Sequence, residues 1–315
     1  MALIVIFAFL ISFTIYLFVG FSSGKNTKNV GDLLPLSING NATVKNASEF
    51  SSSTVATTVS LATFIVAFFE LADYFGYWLF WTVITTSVGL LIVRLLAPRI
   101  WKRLSEYKNT PSLHEFLGKE FGSKTVSIIG ALATSMGFLG VFALELTVGS
   151  RFLATLIGGI PEWIVVILLS VIAFVYTSLG GFRAVIRTDK LQMWSIWLLI
   201  TSLIGFSTYF IITHGGWQLR YETLPESIRC PAWGEQLIPF LLAIFMINIP
   251  FYVADMSLWQ RIGASKKSQT IKEGLGQSVL ISAMTLAVLV ILAIFVFMVI
   301  PKIEGQNALI TLLQV

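Results

Sequence analysis

Charged residues in this chain are gathered between long apolar runs rather than spread along them, and that pattern limits what the chain can fold into. Read in order, the runs fall at about 1–22, 53–74, 77–97, 125–150, 162–179, 191–213, 237–256 and 274–300. Each is near the ~20 residues that an α-helix needs to cross a bilayer. A soluble domain would return polar residues to one helix face with a regular period. A membrane β-barrel would alternate over segments of about ten residues. Neither pattern is present. Only 12% of the residues are charged and 56% are hydrophobic, where soluble domains carry roughly 25% charge; mean hydropathy is +0.85. The expected fold class is an all-α, multi-spanning membrane protein with about eight transmembrane helices.

The formal net charge of +5 would suit a nucleic-acid partner, but the basic residues sit beside the apolar runs, where they serve as membrane anchors. No nucleic acid is expected. The single cysteine, Cys230, allows no intrachain disulfide, and His114 and His214 have no ligand-spaced companions. GxSxG, HExxH and Walker A motifs are all missing, so no enzyme is expected. The first apolar run lacks a basic leader and is followed by Lys25 and Lys28; it reads as a retained helix with its N-terminus outside. With that orientation 17 of the 21 basic residues are cytoplasmic, and only Arg151, Arg220, Arg229 and Lys302 are not. The split follows the positive-inside rule and places the chain in the plasma membrane as a multi-pass protein.

Two of the runs are interrupted by groups that do not suit lipid. The second carries Thr57, Thr58, Ser60 and Thr63, then Glu70 and Asp73. The seventh carries Asn248 two residues before Pro250. Proline removes a backbone donor and disturbs the preceding turn, and carbonyls freed at membrane depth must line protein or a cavity. Broken helices at matching places in two halves of a chain point to a transporter's binding site. The plainer alternatives are hydroxyls bonded to their own preceding turn and a simple kink at Pro250. Glu145 is a further ionisable group at depth, six residues before Arg151, with which it could pair; Arg94 can snorkel to the cytoplasmic face.

Three stretches carry a family likeness: "SLGGFRAVIRTDKLQ", "DMSLWQRIGASKKS" and "TPSLHEFLGKEFGSK". The chain resembles the sodium:solute symporter family along essentially its whole length. The pattern at Gly180, Gly181, Ala184, Val185, Thr188, Asp189 and Gln192 is the most specific, followed by Trp259-Gln260-Arg261; the third stretch departs from the family at Glu120, often basic there. The resemblance implies a LeuT-type bundle of two inverted five-helix repeats after an extra first helix. On that template residues 1–315 form one transmembrane domain. Residues 1–52 hold the extra helix and a cytoplasmic loop, 53–213 the first repeat, and 237–315 the start of an incomplete second repeat.

The resemblance also implies sites. Sodium, the coupling ion, would be held by the backbone carbonyls of Ala56 and Val59, with the remaining ligands beyond residue 315. Oxygen donors suit such a hard cation. Solute contacts would fall on Thr63, Trp81, Thr82, Thr85, Asn248, Phe251, Tyr252 and Ser282. Thr82 and Ser282 stand where sugar carriers of the family have a glutamate and a lysine, which argues against a sugar. Asp189 would act in coupling or gating, as an ion-pair latch to Arg187, Lys190 or Arg261; alternatively Thr188 or Asp189 caps the start of the sixth helix.

The function expected is sodium-coupled import of a small polar solute by alternating access, without an organic cofactor. A sensor module feeding a signalling domain and a truncated, non-transporting chain are the alternatives. Orientation gives a direct test. The sequons at Asn41 and Asn46 lie on the cytoplasmic side and carry no glycan in a glycosylating host. Endoglycosidase treatment leaves gel mobility unchanged, and a shift would place this segment outside.

Overall fold

Why a 52-residue helical stretch can exist in a membrane protein is answered by one glycine. The computed structural model describes residues 2–25, 33, 43–60, 66–107, 112–229 and 234–300. Within it, α7 runs Glu162–Thr213; straight, it would be about 78 Å long, more than twice the hydrocarbon thickness. Gly181, at φ 57° and ψ −154°, turns the chain between two helical halves. That conformation favours glycine, and a Cβ there would also lie 2.5 Å from the Leu33 backbone. The stretch 180–190, which lies between the apolar runs 162–179 and 191–213, is thus almost wholly helical: the turn needs one residue, and helix resumes at Phe182.

The other helices are α1 Ala2–Gly24, α2 Ala47–Thr58, α3 Val66–Phe75, α4 Phe80–Ser105, α5 Leu113–Glu120 and α6 Lys124–Ile157. After α7 come the short α8 Gly216–Glu222 and α9 Glu226–Arg229, then α10 Leu237–Ala254, α11 Met256–Gly263 and α12 Ser268–Val299. A 3₁₀ turn, Gly76–Leu79, joins α3 to α4. Among the described residues six helical stretches are long and apolar enough to cross a membrane. The expected eight counts α7 twice, on either side of Gly181, and adds the α2–α3 pair, whose helices have 12 and 10 residues.

One expected interruption is a break at the expected place, and the other is not. α2 starts six residues earlier than expected because Asn46 caps it, accepting from the Glu49 amide at 2.9 Å. It stops at Thr58, and α3 begins at Val66. In the seventh run, Pro250 lies inside continuous helix, so the expected break there is not found. The break comes five residues later at Asp255, whose carboxylate accepts from the Ser257 amide at 2.9 Å and its hydroxyl at 2.7 Å and starts α11. A proline costs one backbone bond; a side-chain cap that ends one helix and begins another does more.

Lipid is as apolar as leucine, so helices in a membrane associate by close packing rather than by burial alone. Small residues supply it here. α1 meets α7 through Gly20 and Gly24, spaced as GxxxG, against the backbone of Tyr176 and Leu179. α12 packs on α4, α2, α7 and α3 and buries Leu286, Leu289, Val290, Ala293 and Phe297 with Phe68 and Phe69 of α3 and Ile196 and Ile200 of α7. α10 lies on α4 at Gly89, where a Cβ would stand 2.7 Å from both the Asn248 carbonyl oxygen and the Tyr252 ring. Gly89→Val therefore separates these helices at a cost of about 1–3 kcal/mol. In detergent its melting temperature falls by roughly 5 °C, while Gly137→Ala, with nothing within 4 Å of its Cβ position, stays within about 2 °C.

Candidate functional site

Three groupings of polar atoms lie inside the bundle. The first is the α4–α10 contact. The Thr85 hydroxyl is oriented by its own helix, donating to the carbonyls of Trp81 at 2.9 Å and Thr82 at 3.3 Å. Its lone pairs then accept from Asn248 Nδ2 at 2.9 Å. Two residues expected in one site from positions 163 apart are thus directly bonded. Thr82, on the same helix, donates to the Leu79 carbonyl at 2.6 Å. Tyr252, one turn beyond Asn248, is buried with its hydroxyl toward Thr58 and Thr86.

The remaining expected solute contacts are arranged differently. Trp81 and Phe251 are 43% and 52% exposed, so neither ring is enclosed in this conformation; Phe251 packs edge-on against Tyr252 at 5.7 Å. Ser282 of α12 is fully buried and its hydroxyl has no hydrogen-bond partner among the described residues. Thr63 lies outside the described residues.

The second grouping is the end of α2. A helix end leaves its last carbonyls without amide donors four residues on, and Ala56 and Val59 flank this end, Val59 being its C-cap. The hydroxyls here bond as the plainer alternative has it: Thr57 to the carbonyls of Ser53 and Thr54 at 2.9 and 3.0 Å, Thr58 to Thr54 at 2.8 Å. Beside this end is a cavity of about 470 Å³ lined by Tyr16, Ala56, Val59, Ser60, Glu145 and Gln192, among others. Its wall is mostly apolar, with Phe152, Leu153, Leu169, Ile196 and Leu199, and the hydroxyl, amide and carboxylate of Ser60, Gln192 and Glu145 are set among them; oxygen groups of this kind are the donors a hard monovalent cation takes. Arg151 stands 3.9 Å from Glu162 at the start of α7, where both are exposed.

The third grouping is the most enclosed. Arg261 of α11 is 2% exposed and Asp189 of α7 is 5% exposed, and they pair at 3.4 Å. Between them sits Ser53 of α2, with no exposed surface. Its hydroxyl donates to Asp189 Oδ2 and accepts from Arg261 Nε at 2.8 Å. Arg261 also donates to the carbonyls of Ser53 at 3.3 Å and Ser257 at 2.8 Å. Asp189 is mid-helix, and Thr188 donates back to Ala184 and Val185, so neither caps a helix; the kink at Gly181, not residue 188, is where the second half of α7 begins. Arg187 donates to Ser23 of α1 at 3.1 Å. Arg94 reaches along α12 to the Lys272 carbonyl at 3.1 Å.

The sequence reading missed Ser53, Gly89, Tyr16 and Gln192 as parts of these groupings. The run Ser51-Ser52-Ser53 was a visible signal, being three hydroxyls at the mouth of an apolar run. Gly89 and Tyr16 had none.

Against known proteins, a profile of the sodium:solute symporter family matches residues 42–314. The chain is 23% identical over 184 residues to the sodium/pantothenate symporter of Escherichia coli K12, covering 53% of this chain and 37% of that protein. It is 24% identical over 209 residues to the sodium/pantothenate symporter of Haemophilus influenzae, covering 64% and 42%. It therefore spans about two-fifths of these curated relatives. A solved structure of a Na+-coupled sialic acid symporter, substrate-bound and outward-open, superposes with a TM-score of 0.72 at 20% identity, over 98% of this chain and 64% of that one. That likeness gives the bundle its fold: six membrane-long helical stretches arranged as in a Na+-coupled symporter. With the family profile running from the loop before α2 past the end of α12, the chain belongs to the sodium:solute symporter family.

Proposed function

We propose that this chain belongs to a transporter that couples sodium entry to import of a small polar solute, in the plasma membrane with its N-terminus outside. The observation that carries the reading is the buried cluster of Asp189, Ser53 and Arg261. It ties α2, α7 and α11 together one helical turn from the carbonyl-lined end of α2.

Sodium would sit against the carbonyls of Ala56 and Val59, with the cavity beside them as its approach. A cation moving inward gains about 2.3 kcal/mol per 100 mV of membrane potential, in addition to its concentration gradient. The solute would lie against the α4–α10 contact, where Asn248 and Thr85 present an amide and a hydroxyl and Thr82, Tyr252, Trp81 and Phe251 lie on the same two helices. Thr63 and Ser282 complete the proposed set. The pair of Asp189 and Arg261 is the inner latch: while intact it holds the cytoplasmic side closed, and parting it lets the repeats rock about the site. Arg187, bonded to α1, steadies the helix that bears the latch carboxylate.

The two curated relatives are named for pantothenate, which makes it the first solute to test, in proteoliposomes bearing the full chain. Replacing sodium by choline lowers uptake at least tenfold; unchanged uptake would falsify the coupling. Asn248→Ala lowers uptake efficiency at least tenfold while insertion is retained, since the buried Thr85 hydroxyl loses its half-buried amide partner. Wild-type kinetics in that variant would remove Asn248 from the site. Arg261→Ala leaves Asp189 as an uncompensated buried charge, costing about 3–5 kcal/mol. It is expected to melt well below the parent, and below Arg261→Ala/Asp189→Asn, which has no stranded charge.

A further inference from the structure

Ser53 holds a place in the bundle that its chemistry makes hard to replace. A serine hydroxyl has one proton to donate and two lone pairs to accept with. Here the proton goes to Asp189 Oδ2 and a lone pair receives Arg261 Nε at 2.8 Å, so one small group serves both members of a buried ion pair. The Ser53 carbonyl receives Arg261 Nη2 at 3.3 Å and the Thr57 hydroxyl at 2.9 Å. Thr57 lies between Ala56 and Thr58 in the last turn of α2. A continuous hydrogen-bonded route thus runs from the end of α2 through Thr57 and Ser53 to Arg261 and Asp189. No neighbouring hydroxyl bridges an ion pair: Thr54 bonds back to its own helix, Thr58 does so while facing the Tyr252 hydroxyl, and buried Ser51 has no hydrogen-bond partner among the described residues.

We propose that Ser53 is the positioning residue for sodium coupling, transmitting the state of the cation-binding end of α2 to the Asp189–Arg261 pair. The inference rests on the sodium reading above and adds a residue to it. Ordering of the last turn of α2 around a cation fixes Thr57 and Ser53, and a fixed Ser53 holds Asp189 and Arg261 in bonding geometry. By linkage, the closed latch raises cation affinity by the same factor by which the cation favours the closed latch. Ser53 itself touches neither ion nor solute.

The test is the sodium dependence of solute uptake by the full chain in proteoliposomes. In Ser53→Ala the half-saturating sodium concentration rises about tenfold, while the solute KM at saturating sodium stays within about twofold, a coupling of ordinary allosteric size. Ser53→Thr keeps the hydroxyl and restores sodium affinity to within about threefold. In a background of Asp189→Asn, Ser53→Ala has little further effect on sodium affinity, because both act through one cluster. A merely structural serine would lower the maximal rate or the amount of folded protein and leave sodium affinity unmoved; that result, or full additivity with Asp189→Asn, overturns the proposal. Should Ser53→Ala fail to reach the membrane, Ser53→Cys answers the same question, its thiol being a weak donor and acceptor. A sodium half-saturation unchanged in Ser53→Cys overturns the proposal too. Sodium-independent uptake by the parent chain would instead sink the coupling on which the inference rests.

Discussion

A guanidinium with 2% of its surface exposed, in a chain built to sit in lipid, is the constraint on which the inner half of this structure depends. Arginine does not give up its proton, so burial cannot be relieved by neutralisation. Its donors must be met, and the meeting groups come from three places far apart in sequence: Ser53 on α2, Asp189 on α7 and Ser257 on Arg261's own helix. Each helix is thereby fixed in rotation and height against the others. The surroundings are built to keep that arrangement dry. Phe50, Ile186, Leu258 and Ile262 pack beside it, and Gly274 of α12 lets Phe50 approach closely. Val44 bonds to the Ala264 carbonyl at 3.2 Å and Trp101 to that of Ser265 at 3.0 Å.

The polar groupings share an economy that would suit the alternating access proposed above. Most intramembrane hydroxyls bond to the turn before them, as in Thr54, Thr177 and Thr201, and can stay satisfied while helices move. Among the described residues, side-chain bonds between helices include those at the interrupted elements: Asn248 to Thr85, Ser53 to Asp189, Arg261 to both. Interfaces joined by few discrete bonds are two-state rather than continuously deformable. The glycine contacts of α1 with α7 and of α4 with α10 bring those helix pairs into close backbone approach.

Much of this was legible beforehand because a bilayer writes its demands into composition. The apolar runs located the spans, and the polar run Thr57–Ser60 located the end of α2. The signature at Gly180–Gln192 located a special place in α7 but hid its form. Four charges in eight residues look like a solvated loop, whereas Asp189 is buried because Arg261, 72 residues on, meets it. Pro250 misdirected the reading for a related reason. Its lost bond is local and visible, while the cap at Asp255 that ends α10 looked like any other acid.

The sequence by itself determined that this chain crosses a membrane as helices, where those helices run, and to which family it belongs, since hydrophobic length and short motifs are local properties. Only the tertiary structure decided which polar groups meet: Asn248 with Thr85, Arg187 with Ser23 rather than Asp189, and Ser53 between Asp189 and Arg261. A hydroxyl in a sequence carries no mark of its partner. The partner is chosen by helix rotation and by how closely glycines let backbones approach, and those are settled only when the whole bundle packs.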